Sequence, residues 1–136
     1  MENDGKEKGF TLIELMVVVL ILGILAAVVV PILRGRLQQA KWSEAAAMAD
    51  SISNAVRACY AQDPAVATAM IGNSADAYLG PLGFQENGLN GRYFQANNFK
   101  IANIDGNGNI TITVTAPDGL NGSAQLDKTN GWVYTP

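Results

Sequence analysis

Between Phe10 and Leu33 the chain reads FTLIELMVVVLILGILAAVVVPIL, and residues 15–30 carry no charge and no strongly polar side chain. A helix needs about 20 apolar residues to span the hydrocarbon core of a bilayer, so the run is long enough to cross one. Two residues are unusual for a plain membrane anchor. Glu14 lies inside the apolar stretch, where a carboxylate is costly near the middle of a bilayer and tolerable near its edge; such a residue points to function. Pro31 removes one backbone N–H and should kink or locally loosen the helix that contains it.

A secretory signal peptide has a basic start, a shorter apolar core and a small-residue cleavage site after that core. The segment before this core, MENDGKEKG, has two lysines and three acids, the run is too long, and no A-x-A site follows it. The residues therefore argue against a cleaved secretory signal, and Glu14 argues against a simple anchor.

The string Gly9-Phe10-Thr11-Leu12-Ile13-Glu14, followed by the long apolar run, resembles the class III signal of type IV prepilins and of type II secretion pseudopilins. The resemblance covers roughly 30 residues. It implies cleavage between Gly9 and Phe10 by a prepilin peptidase on the cytoplasmic side, then N-methylation of Phe10 by the same enzyme. It assigns Glu14 to assembly, as the family's glutamate near the new N-terminus, and Gly23 and Pro31 to helix flexibility. The leader is acidic on balance, whereas the family's is usually basic. Lys6 and Lys8 precede the run, and Arg34, Arg36 and Lys41 follow it. Counting these cations does not orient the segment, and the cytoplasmic N-terminus follows from the resemblance.

The physical chemistry of Glu14 agrees with that role. Cleavage creates a charged α-amine at Phe10, also in apolar surroundings. Opposite charges attract strongly at low dielectric, and leaving one unpaired is costly. In the family, the glutamate of one subunit is thought to neutralise the terminal amine of its neighbour.

Beyond Pro31 the sequence RGRLQQAKWSEAAAMADSISNAVRACYAQ is rich in good helix formers. Ala45, Met48, Ile52, Val56 and Cys59 recur at helical spacing and make an apolar stripe, with Lys41, Glu44, Asp50, Ser53 and Arg57 expected largely elsewhere. The helix is predicted to run from Phe10 and stop near Gln62, before Asp63-Pro64. Trp42 reads as a packing or subunit-contact residue. Cys59, the sole cysteine, reads as a small buried hydrophobe; it excludes an internal disulfide.

Residues 64–91 are punctuated by Pro64, Gly72, Gly80-Pro81, Gly83, Gly88 and Gly91, which predicts an irregular connection with room for a short helix over 65–71. Strands are predicted over 99–104, 109–116, 123–127 and 132–134. In the second, Ile110, Ile112, Val114 and Ala116 alternate with Thr111, Thr113 and Thr115. Asx-Gly turns between such runs argue for an antiparallel meander with one face on the helix. The predicted fold class is α+β, a long N-terminal helix packed on a small antiparallel sheet, as pilins have. The predicted organisation is a leader at 1–9, a transmembrane and filament-core helix at 10–33, its amphipathic continuation at 34–62, and a globular head at 63–136.

Asp105-Gly106-Asn107-Gly108-Asn109 places oxygen ligands at alternate positions, as the start of a calcium loop does. The downstream bidentate Glu is missing and a strand follows at once, so a plain turn is the stronger reading and Asp105, Asn107 and Asn109 are weak calcium candidates. No other cofactor is implied. The chain has no His, the commonest acid–base group and metal ligand. No Ser/His/Asp set, phosphate loop, CxxC pair or basic groove is present, which argues against an enzyme and against nucleic-acid binding.

The expected function is that of a structural subunit of a type IV pilus (fimbrium) or similar filament, assembling through its N-terminal helix. The alternatives are a major-type pseudopilin of a type II secretion system and, less well supported, a membrane-anchored periplasmic binding module. The resemblance implies further copies of the chain, prepilin peptidase, inner-membrane assembly machinery and minor pilins or pseudopilins as partners. It implies an inner-membrane single-pass precursor that moves to an extracellular pilus or periplasmic pseudopilus.

Overall fold

The structure is a computed structural model and describes residues 9–127 and 131–135. The predicted leader lies outside the described residues except for Gly9. Helix α1 covers Leu12–Gln62 and runs through Gly23 and Pro31 without interruption. The chain divides into two units, one ending at Leu37 and one beginning at Gln38.

In the first unit every described residue is exposed. Its large apolar side chains range from 44% exposed at Val30 to 83% at Phe10. Contiguous apolar surface on that scale is not left in water by soluble proteins; it is covered by lipid or by other protein.

The second unit is built on the rest of α1. There the stripe does bury itself: Trp42, Ala45, Ala49, Ile52 and Val56 are in the core, with Met48 and Cys59 packed against it in part. Ser53, expected on the polar side, is buried at 7% exposure. It lies one position from Ile52 and four from Ala49, so the core wraps further round the helix than the apolar pattern shows. Trp42 is a packing residue, with ring centroids 5.2 Å from Phe94 and 5.0 Å from Tyr134.

Asp63 ends α1 and caps the next helix, α2 (Pro64–Ala69): its carboxylate accepts from the N–H groups of Ala65 and Val66 at 3.0 and 3.3 Å. Proline at the first helical position suits this start, because its missing N–H would have had no partner there. The connection that follows holds short 3-10 turns at Ala75–Tyr78 and Ala96–Asn98.

Four strands, β1 (Phe99–Ile104), β2 (Ile110–Thr115), β3 (Ser123–Asp127) and β4 (Gly131–Thr135), form an antiparallel sheet in chain order. In β2, Ile110, Ile112 and Val114 are buried while Thr111 and Thr113 are half-buried and Thr115 exposed, the alternation expected of a sheet with one covered face. A register shift between Ile101 and Asn103 marks a bulge in β1. Its outer edge is partly occupied: Ile101 N–H donates to Asn73 O at 3.0 Å, and Ile101 O accepts from Gly72 N–H at 2.8 Å.

A long-range clamp ties the connection to the helix. Glu44 Oε1 accepts from the backbone N–H groups of Tyr93 at 2.8 Å and Phe94 at 3.0 Å. Gly91 lies directly against the same carboxylate, where a Cβ would collide with Glu44 Oε1. The clamp thereby seats Phe94, one of the largest fully buried side chains, against Trp42 and Phe99. In the full chain in detergent, Glu44→Ala is expected to destabilise the second unit by about 2–3 kcal/mol, since two charge-assisted bonds are lost. Glu44→Gln, which keeps an acceptor, should cost less. Gly91→Ala should also destabilise, and less so in the Glu44→Ala background, where the contact with the carboxylate is gone and only the tight one to Met48 Sδ at 3.0 Å is left; denaturant unfolding of the four proteins measures that coupling.

Candidate functional site

The residues singled out by the N-terminal motif lie at the start of α1. Gly9 and Phe10 precede the helix, and Thr11 is the last residue before it. Thr11 and Glu14 form a reciprocal pair. The Thr11 N–H and hydroxyl both donate to Glu14 Oε2 at 2.8 Å, and the Glu14 N–H donates to Thr11 Oγ1 at 3.3 Å. This is a capping box, with Thr11 at the cap and Glu14 three residues into the helix. It satisfies N–H groups that the first turn otherwise leaves unpaired, and it places negative charge at the positive end of the helix.

Reading Glu14 only as an out-of-place carboxylate missed Thr11. The signal was available in T-x-x-E ahead of an apolar run. The capping box uses one carboxylate oxygen, and Glu14 Oε1 has no partner among the described residues. Gly23 and Pro31 lie farther along α1, at exposed positions. Nothing within 4 Å crowds a Cβ at Gly23 among the described residues, so no close approach of another group requires a glycine there.

The calcium candidates are brought together at the β1–β2 turn. Asp105 Oδ1 accepts from the N–H groups of Asn107 at 2.9 Å and Asn109 at 2.7 Å, and Asp105 Oδ2 accepts from Asn109 Nδ2 at 2.6 Å. These bonds close an Asx turn through the Asp105 side chain. Gly108, at φ +75°, takes the left-handed position in it. No cluster of three or more His, Cys, Asp or Glu side chains suited to a metal occurs among the described residues.

Residues 4–30 match the model of the prokaryotic N-terminal methylation motif. The chain is similar to a fimbrial protein of Moraxella nonliquefaciens, 46% identical over 50 residues, which is 37% of this chain and 32% of the relative. It is similar to the type IV major fimbrial protein FimA of Dichelobacter nodosus, 33% identical over 90 residues, 62% of this chain and 56% of the relative. It is also similar to the type II secretion system core protein G of Escherichia coli K12, 41% identical over 56 residues, 41% of this chain and 39% of the relative. The matches thus span between a third and just over half of these relatives. No solved structure matches. The motif and these relatives make the chain similar to type IV pilins and to a type II secretion core protein.

The capping box has a direct test. Thr11→Ala should weaken the start of α1 by about 1 kcal/mol. In micelles, amide hydrogen exchange should rise over residues 12–15 and stay unchanged beyond residue 38.

Proposed function

We propose that this chain is the subunit of a type IV pilus or a closely related filament, stored in the inner membrane as a single-pass precursor and polymerised through α1. The observation that carries the reading is the exposed apolar surface of residues 10–33 with one carboxylate, Glu14, near its start. Lipid covers that surface in the precursor, and the stems of neighbouring subunits replace lipid in the filament. The hydrophobic contribution is similar in either setting, which lets a subunit move between them.

In this reading prepilin peptidase cuts between Gly9 and Phe10 and methylates Phe10. The capping box holds Glu14 before assembly without another subunit. Glu14 Oε1 is then the oxygen that meets the Phe10 amine of a neighbour, where low dielectric strengthens the pairing and penalises its absence. Gly23 and Pro31 supply the places where the stem adjusts as it leaves the bilayer. The function is structural and needs no catalytic residue. The final location is an extracellular pilus, reached through inner-membrane assembly machinery and minor subunits.

A second reading, a major-type pseudopilin ending in a periplasmic pseudopilus, is favoured by the similarity to core protein G and by the single cysteine, which excludes the closed disulfide loop that many pilins carry. Glu14→Ala is expected to be processed normally yet fail to enter filaments; wild-type incorporation of that variant overturns the role given to Glu14. Intact mass of protein from the native cell should match residues 10–136 plus one methyl group. Recovery of that mass from long surface fibres favours the pilus, and its confinement to the cell envelope favours the pseudopilus.

Calcium is not part of this reading, because the Asp105 oxygens are already engaged in closing their own turn. A calcium titration should therefore leave the melting temperature of the full chain unchanged. An upward shift abolished by Asp105→Ala would restore the loop as a cation site.

A further inference from the structure

The charges that bracket the apolar stem are spaced to match a bilayer. Residues 15–33 carry no charge, and as a helix they rise about 28 Å, close to the roughly 30 Å thickness of the hydrocarbon core. Glu14 stands at one end of this stretch, and Arg34 and Arg36 stand at the other. Arg34 and Arg36 are two positions apart on a continuous helix, so they project to nearly opposite sides and ring the stem. Both are exposed, and neither has an acidic partner among the described residues.

The nearest cation downstream is committed elsewhere: the Lys41 ammonium sits 5.0 Å from the ring centroid of Tyr93, inside the second unit. There is no acid between Glu14 and Glu44 to neutralise the arginines along the chain. In a protein whose net charge is −3, an acid-free segment carrying two unpaired guanidinium groups at the edge of a membrane span is a local exception to the overall balance.

We propose that Arg34 and Arg36 form a collar that binds anionic phospholipid headgroups on the side of the membrane where the second unit emerges. The inference rests on the membrane-stored precursor described above. Guanidinium groups bind phosphate through paired N–H donors, and cations beside a span are attracted to anionic lipid surfaces. With the collar at one headgroup layer, the length of the charge-free stretch holds Glu14 at the opposite boundary of the hydrocarbon. There its carboxylate avoids the middle of the bilayer, and the peptide bond before Phe10 lies outside it. The collar thus sets the depth of the stem, and extraction into a filament must break its phosphate contacts.

The test uses the full chain in a nonionic detergent, mixed with equal amounts of phosphatidylglycerol and phosphatidylcholine, and native mass spectrometry counts the retained lipids. Wild type should retain phosphatidylglycerol preferentially, R34Q/R36Q should lose that preference by roughly tenfold or more, and R34K/R36K should keep much of it. Lys41→Gln should leave it unchanged, and circular dichroism of each variant checks that α1 is intact. Equal retention of both lipids by wild type, or a preference unaltered in R34Q/R36Q, overturns the collar. So does recovery of the arginines only in cross-links to acidic residues of a second copy. Imaging the same wild-type protein for filaments tests the filament reading separately, since lipid selection requires no assembly.

Discussion

One helix has to be satisfied by two kinds of surroundings. The backbone of α1 is continuous from Leu12 to Gln62, yet its apolar side chains up to Leu37 are exposed, while Trp42, Ala45, Ala49, Ile52 and Val56 lie in a packed core. Hydrogen bonding does not separate the two parts, because an α-helix satisfies its own backbone in lipid and in water alike. The difference lies in the residues. Leu, Ile and Val all round the helix demand an apolar solvent, whereas the Ala-rich stretch with one apolar stripe demands a sheet to pack on. The rest of the protein follows from this: apolar surroundings for the first part, and a small head for the second.

The second unit is held together by a short list of decisive contacts. Alanines 45 and 49 are fully buried on the core face of α1. Large side chains from the connection and the strands, Phe94, Phe99, Ile101 and Ile112, fill the space they leave. The Glu44 clamp orders the long connection by bonding to its backbone, which does not depend on the side chains at Tyr93 and Phe94. Gly122 shows the same economy of space at the far end of the sheet, where a Cβ would come within 2.7 Å of Thr135 O at φ +99°.

At the N-terminus, one carboxylate is engaged through a single oxygen. Glu14 caps its own helix through Oε2, and Oε1 has no partner among the described residues. A carboxylate with one oxygen engaged locally tolerates a boundary position better than a bare one, and still presents an acceptor to an incoming cation. Thr11 is the residue that makes this arrangement, and its contribution is visible only when T-x-x-E is read as a helix start.

Much of this protein was legible before any coordinates. The apolar run, the stripe through Ala45, Ile52 and Val56 and the alternating Ile and Thr of β2 are local patterns, and each is set by the periodicity of the element it lies in. The predicted strands agree with the observed ones to within a residue or two at each end, and α1 begins at Leu12 where a start at Phe10 was expected. Other features could not be read in this way. The burial of Ser53, the bond from Glu44 to residues nearly fifty positions away, the cover of Gly72 and Asn73 over the edge of β1, and the separation of Lys41 from Arg34 and Arg36 all depend on which segments meet. Such meetings arise from packing between elements distant in the chain, whereas a sequence pattern records only the preferences of neighbours; what the sequence by itself determined was each element and its apolar face, and what the tertiary structure decided was which polar groups those faces would carry into contact.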